Sequence, residues 1–311
     1  MSFRVLISDA LPEEGAELLR ASGQIEVIVE TKDYAQHIPE VDGWIIRSAT
    51  TIGPDQFAEA KRLKCVCRAG TGVDNIDLTA ATQHDVVVMN TPDSNSMAAA
   101  EHAVALLVSL ARNIPFAHHT MAGDGWDKKK FVGVEYEGKT AGVIGLGKVG
   151  RIAARKLKGL GMKVVGVDPV LTASDAEEHG IELLSLDEML ARADFITLHT
   201  PLNDGTRNML STAQFAAMKP GVRIVNCSRG GVVDEEALFA AVESGQVAGA
   251  ALDVFAEEPT PVPSSLRNHP RIVTTPHLGA STVEAQLKVA TVSAAQIRDC
   301  LLEGKVSNQV N

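Results

Sequence analysis

Short apolar runs recur along the 311-residue chain, each followed by a stretch whose apolar positions repeat at helical spacing. Up to about residue 90 the runs are Phe3–Ser8, Ile25–Val29, Gly43–Ile46, Cys65–Arg68 and Val86–Met89. Helical stretches lie between them, including Pro12–Ala21, with proline in its first turn, and Pro54–Leu63. From residue 140 six further runs follow: Thr140–Ile144, Lys163–Val167, Phe195–His199, Val222–Asn226, Ala248–Asp253 and Arg271–Thr275. Capping boxes are read at Ser185 with Glu188, Ser211 with Gln214, and Ser281 with Glu284. Strand and helix alternating this densely predict parallel sheets with helices on both faces. Between the two series, Asn90–Ser96 is a polar, turn-rich break. Met97–Leu110 is alanine-rich and apolar nearly all round, which predicts a buried helix, in the core or in a dimer contact.

The run Thr140–Ile144 leads into Gly145-Leu146-Gly147-Lys148-Val149-Gly150 and then a helical pattern, with Lys163–Val167 ending at Asp168. That is a strand, a glycine turn, a helix, a strand and an acid. Gly145 permits the tight turn, Gly147 lets a pyrophosphate approach the backbone, and Gly150 lets helix and strand pack closely. The helix start, at Lys148 and Val149, offers unpaired N–H groups and the positive end of its dipole to phosphates. Asp168 accepts hydrogen bonds from a ribose diol and repels a 2′-phosphate, so the expected cofactor is NAD. A G-x-G-x-x-G alone is weak evidence; the strand, the helix and the acid make it a dinucleotide fingerprint.

Composition narrows the partners. Net charge is −10, which argues against a nucleic-acid footprint. No apolar run approaches the roughly 18 residues of a membrane span, and the N-terminus reads as a strand, not a signal peptide. Aromatic residues make up 4%, so the core must be aliphatic. Cys65, Cys67, Cys227 and Cys300 have neither a zinc spacing nor a disulfide framework, and Cys65 and Cys67 should share one packed face. A reduced, cytoplasmic setting without a metal is expected.

In a doubly wound sheet, ligands sit beyond the carboxyl ends of the strands. Three successive runs of the second half end in Ser228-Arg229, in Asp253 followed by Glu258, and in Pro276-His277-Leu278-Gly279. A histidine can take the proton of a substrate hydroxyl, a carboxylate on its other nitrogen fixes the tautomer, and an arginine clamps a carboxylate. Singly each has a bland reading: a solvated histidine, a surface Glu257-Glu258 pair, a turn-closing arginine. Three strand ends in succession after one fingerprint outweigh those readings.

Together with Arg68–Asp77, Val225–Glu235, Ala250–Pro259 and Pro276–Thr282, these motifs run through nearly the whole chain, which resembles the D-isomer-specific 2-hydroxyacid dehydrogenases. The resemblance implies two doubly wound α/β domains, an NAD-binding Rossmann domain (93–282) inserted into a flavodoxin-like substrate domain (1–92 and 283–311). The helix from Thr282 to about Leu302 then passes back to the first domain. Closure about residues near 90–95 and 280–285 should exclude water. It implies Arg229, Glu258 and His277 as the catalytic triad. Cofactor contacts carry over to Gly145, Gly147, Lys148, Val149, Gly150 and Asp168. They carry over more loosely to Thr200, Pro201, Thr206, Ser228, Gly279 and Asp253, the last at the nicotinamide amide.

The stretches are most similar to the branch of the family that oxidises 3-phospho-D-glycerate to 3-phosphooxypyruvate in serine biosynthesis. A phosphorylated 2-hydroxy acid needs further cations: Arg47, beside Ser48, and Arg68 each follow a strand, and backbone at Ala69 and Gly70 would hold the carboxylate. Lys128, in Trp126–Phe131, reaches a neighbouring subunit's site in similar enzymes, or is simply solvated. Ala49 stands where some relatives carry a second arginine, so phosphate binding must differ in detail. Many members of that branch continue into a serine-binding domain; this chain stops at Asn311, as a short or a truncated form, and serine inhibition through such a domain is not expected. Two alternatives stand beside this reading: another 2-hydroxy acid of the glyoxylate/glycolate or D-lactate type, or an NAD-sensing corepressor-like binding protein. A homodimer or higher homo-oligomer is expected, with no nucleic-acid or membrane partner.

Overall fold

The computed structural model describes residues 2–261 and 264–311. They form two compact units, one of residues up to 96 together with 280–311, the other of residues 97–279.

In the first unit β1 (Phe3–Ile7), α1 (Glu13–Arg20), β2 (Ile25–Val29), β3 (Gly43–Ile46), α2 (Pro54–Glu59), β4 (Cys65–Arg68), α3 (Leu78–Gln83) and β5 (Val87–Asn90) alternate. All strands run parallel in the order β2-β1-β3-β4-β5, the flavodoxin-like order. Burial explains the runs: Val5, Leu6, Trp44, Ile45, Cys65, Val66 and Cys67 are all fully covered, as strands flanked by helices on both faces must be.

The second unit holds α4 (Ser96–Ala111), α5 (Ile114–Ala122), β6 (Thr140–Ile144), α6 (Lys148–Gly159), β7 (Lys163–Val167), α7 (Ala173–Glu178), β8 (Glu182–Leu183) and α8 (Leu186–Arg192). It continues with β9 (Phe195–Leu198), α9 (Thr212–Ala217), β10 (Val222–Asn226), α10 (Glu235–Glu243), β11 (Val247–Leu252) and β12 (Ile272–Thr274). Its strands are also parallel, in the order β12-β11-β10-β9-β6-β7-β8. Sequence order reverses between β6 and β9, which defines a switch point. The chain then re-enters the first unit as α11 (Val283–Glu303), which packs on α1, β3 and β4. Gly15 makes this possible, because a Cβ there would stand 3.1 Å from the carbonyl oxygen of Ala290.

Several boundaries differ from the sequence reading. A seventh strand, β8, is too short at two residues to give a periodic signal. The capping box read at Ser281 with Glu284 does not form: Thr282, one residue later, is the extended N-cap of α11 and accepts the amide of Ala285 at 3.1 Å, a single cap. Helix α2 stops at Glu59, and a turn buries Ala60 and Leu63 instead. Helix α4 is not buried all round: Met97, Glu101 and Ala105 form an exposed stripe at i, i+4, i+8. The last residues close the edge of the first sheet. Gln309 bridges Met89 in antiparallel fashion, and Asn311 Oδ1 accepts the amide of Val88.

Candidate active site

The glycine turn lies at the switch point. It follows β6, while His199 and Thr200 follow the neighbouring β9, and the amide of His199 donates to Ile144 O at 2.8 Å. Gly145 has φ +88°, and a Cβ there would stand 2.5 Å from His199 O. At Gly150 a Cβ would lie 1.9 Å from Gly145 O, so the first turn of α6 rests directly on the loop. Gly147 is the N-cap of α6, and nothing lies within 4 Å of where its Cβ would stand. Lys148 and Gly147 are exposed beside that open space.

Two observations fit a dinucleotide here. The space before Gly147 admits a phosphate to the backbone, and Thr200 Oγ1, buried near Gly145, has no hydrogen-bond partner among the described residues. Asp168, which follows β7, accepts the amide of Leu146 at 2.7 Å and that of Val170 at 2.9 Å. Its carboxylate therefore stands against the glycine turn, where a ribose would lie beside the phosphates. Thr206 Oγ1 donates to Pro201 O at 2.7 Å and, with Asn203, closes the loop after β9.

A second corner forms where β10, β11 and β12 end. Asn226, buried at the end of β10, accepts the Ser228 amide and hydroxyl at 3.0 and 2.7 Å and donates to Arg229 O at 2.9 Å. The Arg229 guanidinium donates to Ser228 O at 2.7 Å. A Cβ on Gly230 would stand 1.7 Å from Phe255 O, so only glycine lets the Arg229 turn rest on the segment leading to Glu258. Glu258 Oε1 accepts the amide of Phe255 at 2.9 Å, and Oε2 lies 2.6 Å from His277 Nδ1. A carboxylate only accepts, so Nδ1 carries the proton and Nε2 presents a lone pair. Burial pushes the Glu258 carboxyl up, but the hydrogen bonds from His277 and the Phe255 amide outweigh it and leave the group below the ordinary range. It stays an anion at neutral pH.

His277 itself has φ +55°, a left-handed conformation uncommon for a residue with a side chain. Asp253, 1% exposed, holds that loop: its oxygens accept the amides of Leu278 and Gly279 at 2.7 and 2.8 Å, and its own carbonyl accepts the amide of His277. Asp253 and Gly279, both read from the sequence as cofactor contacts, are thus also bonded to each other. Thr275 Oγ1 donates to Asp253 Oδ1 at 2.6 Å. Sequence reasoning passed over Asn226, Thr275 and His102; for Asn226 and Thr275 the available signal was a polar residue closing an apolar run, whereas His102 lies inside the alanine-rich α4.

In the first unit Arg47 follows β3 and Arg68 ends β4, and these strands are neighbours with Ile46 opposite Arg68. The Arg47 amide donates to Asp9, and Asn75 Nδ2 donates to Arg47 O at 2.6 Å. Burial lowers the Arg47 pKa from its ordinary value, with Asp9 opposing. Ser48 is exposed beside it and Ala69 is buried. The Arg68 guanidinium folds over Gly70, whose Cβ would stand 1.6 Å from Arg68 Nη1. Lys128 is exposed, opening a 3₁₀ turn (Lys128–Phe131) in the second unit, outside the hydrogen-bond network described around His277.

The fold and this geometry agree with what the chain matches. Residues 104–279 match the family model described as the D-isomer specific 2-hydroxyacid dehydrogenase, NAD binding domain, and the chain belongs to that family. A protein named D-3-phosphoglycerate dehydrogenase from Synechocystis sp. is 44% identical over 99% of this chain and 56% of its own length. The protein of the same name from Rattus norvegicus is 45% identical over 99% of this chain and 58% of its own. The chain thus spans little more than half the length of these relatives. Among solved structures, the TT0316 protein of Thermus thermophilus superposes with a TM-score of 0.90 at 32% identity, covering 99% of this chain and 100% of that one.

Proposed function

We propose that this chain catalyses NAD-dependent oxidation of 3-phospho-D-glycerate to 3-phosphooxypyruvate. The observation that carries the chemistry is the His277–Glu258 pair, 2.6 Å apart, with Arg229 on the adjoining turn. His277 Nε2 accepts the hydroxyl proton of the substrate. Glu258 fixes the tautomer and offsets the positive charge that the ring acquires. The planar guanidinium of Arg229 binds the carboxylate and draws electron density from the adjacent oxygen as a carbonyl forms. Gly145–Gly150 and Asp168 would hold NAD, which would supply the acceptor for the hydride leaving C2. Substrate and pathway rest on the relatives named D-3-phosphoglycerate dehydrogenase. Arg47 and Arg68, at neighbouring strand ends, supply two cations suited to an acid that is also a phosphate ester.

The test is NADH formation with 3-phospho-D-glycerate beside D-glycerate, D-lactate and glycolate at equal concentration. Preference for the phosphorylated acid supports the reading. Equal or better turnover of an unphosphorylated acid keeps the family and moves the substrate to that alternative.

A homodimer accompanies this reading. Met97, Ile114, Met121, Trp126 and Val132, on or beside α4 and α5, are 46% to 83% exposed. Large apolar side chains gathered in one segment suit a second copy of the chain. Light scattering on the wild type and on Trp126→Lys checks it. Four free thiols fit a reduced, cytoplasmic setting.

A further inference from the structure

His102 lies on α4, and its role is assigned by its neighbours. Its Nε2 is 3.2 Å from Asp253 Oδ1 and 3.2 Å from Thr275 Oγ1. Thr275 spends its own hydroxyl proton on Asp253 Oδ1, and the carboxylate only accepts, so His102 Nε2 must be the donor to both. Asp253 then receives four hydrogen bonds: from His102, Thr275, Leu278 N and Gly279 N. Burial pushes this carboxyl up, and the bonds, that from His102 first among them, bring it below its ordinary value. The Asp253 oxygens in turn fix the two residues that follow His277, whose backbone is left-handed. Helix α4 touches the same loop again, since a Cβ on Gly279 would stand 3.8 Å from Ala99 Cα. The third titratable group here is Cys227, whose sulfur lies within 4.8 Å of ligand atoms of His102 and Asp253. Burial, then Asp253, push its thiol well up, so it adds no charge.

We propose that His102 is a positioning residue for the acid–base pair. Through Asp253 and Thr275 it sets the Leu278–Gly279 backbone, and so the direction and electrostatic setting of the His277 ring. This rests on the reading of His277 as the acid–base group. Glu258 meets the His277 ring at 2.6 Å, and Asp253, with His102 beside it, holds the amides of the two residues that follow. Loss of that donor leaves a buried carboxylate under-satisfied and frees the loop to shift. A misplacement of about 1 Å at a reacting group lowers turnover by roughly a hundredfold.

The test compares His102→Leu, which removes the donor, with His102→Gln, which restores an amide N–H at similar reach. In the full chain, His102→Leu should lower kcat roughly ten- to a hundredfold while KM for NAD stays near wild type. His102→Gln should recover most of the loss. NMR titration of the His277 ring should show its midpoint displaced in His102→Leu and returned in His102→Gln. If His102→Leu does not fold, Thr275→Val, which deletes the shared hydroxyl, takes its place in the same titration. An unmoved His277 midpoint in a folded variant overturns the proposal, as does a loss that Gln fails to restore. The titration needs no turnover, so it decides the proposal even if wild type oxidises none of the acids, a result that would instead sink the proposed function.

Discussion

The carboxylate of Asp168 accepts the amide of Leu146 at 2.7 Å, tying the end of β7 to the middle of the glycine turn. It braces the turn, and under the proposed function the same acid would also repel a 2′-phosphate. Asp168→Ala should raise KM for NAD roughly ten- to a hundredfold, the worth of one or two charge-assisted hydrogen bonds. The same change should narrow the gap between NAD and NADP. Steady-state kinetics with both cofactors check this, and an unchanged cofactor ratio would remove the discriminating role.

Glu258 holds the Nδ1 proton of His277. In Glu258→Gln an amide can offer N–H where a carboxylate only accepted, which favours the wrong tautomer, so kcat should fall roughly 10²- to 10⁴-fold. His277→Ala should fall within the same range, and the double variant should be little worse than either single one, because the two residues act as a unit. Additive losses in the double variant would argue for two separate roles.

Gly150 is a packing constraint. A Cβ placed 1.9 Å from a backbone oxygen must move α6 or the turn, so Gly150→Ala should destabilise the protein by about 1–3 kcal/mol. Urea unfolding reads this directly. Gly147→Ala meets open space, so it should leave stability nearly unchanged and weaken NAD binding. If the two variants showed the same pattern, the division of labour between these glycines would be wrong.

Much of this was legible in the sequence because the signals are local. Apolar runs, glycines at fixed offsets and an acid closing a strand each require only their own neighbours, and Gly145, Gly150 and Asp168 fall where that logic puts them. Strand-end reasoning likewise reached Glu258 and His277, since parallel strands deliver their following residues to one edge. The linkage around Asp253 was not legible, because His102 and Asp253 are 151 positions apart and nothing local marks their meeting. The exposed stripe of α4 was hidden for another reason. Alanine is compatible with burial and with solvent, so Met97, Glu101 and Ala105 gave a pattern that only packing resolves.

His199 follows β9 beside the glycine turn and shares a hydrogen bond with Thr197 Oγ1 at 3.1 Å. Burial pushes its pKa down to about 4, from an ordinary value of 6.5, so the folded chain holds it neutral. The unfolded chain binds a proton below its ordinary value while the native chain does not, so native stability falls as pH drops from there to about 4. A shift of this size corresponds to about 3 kcal/mol, fully present above the ordinary value and lost once the folded group protonates. His199→Gln keeps an amide toward Thr197 but cannot titrate. Urea unfolding of both proteins across that window should therefore show wild type losing stability relative to the variant as the pH falls. A constant difference between the two curves would mean that His199 is solvated, and that the apolar packing around the glycine turn does not exclude its proton.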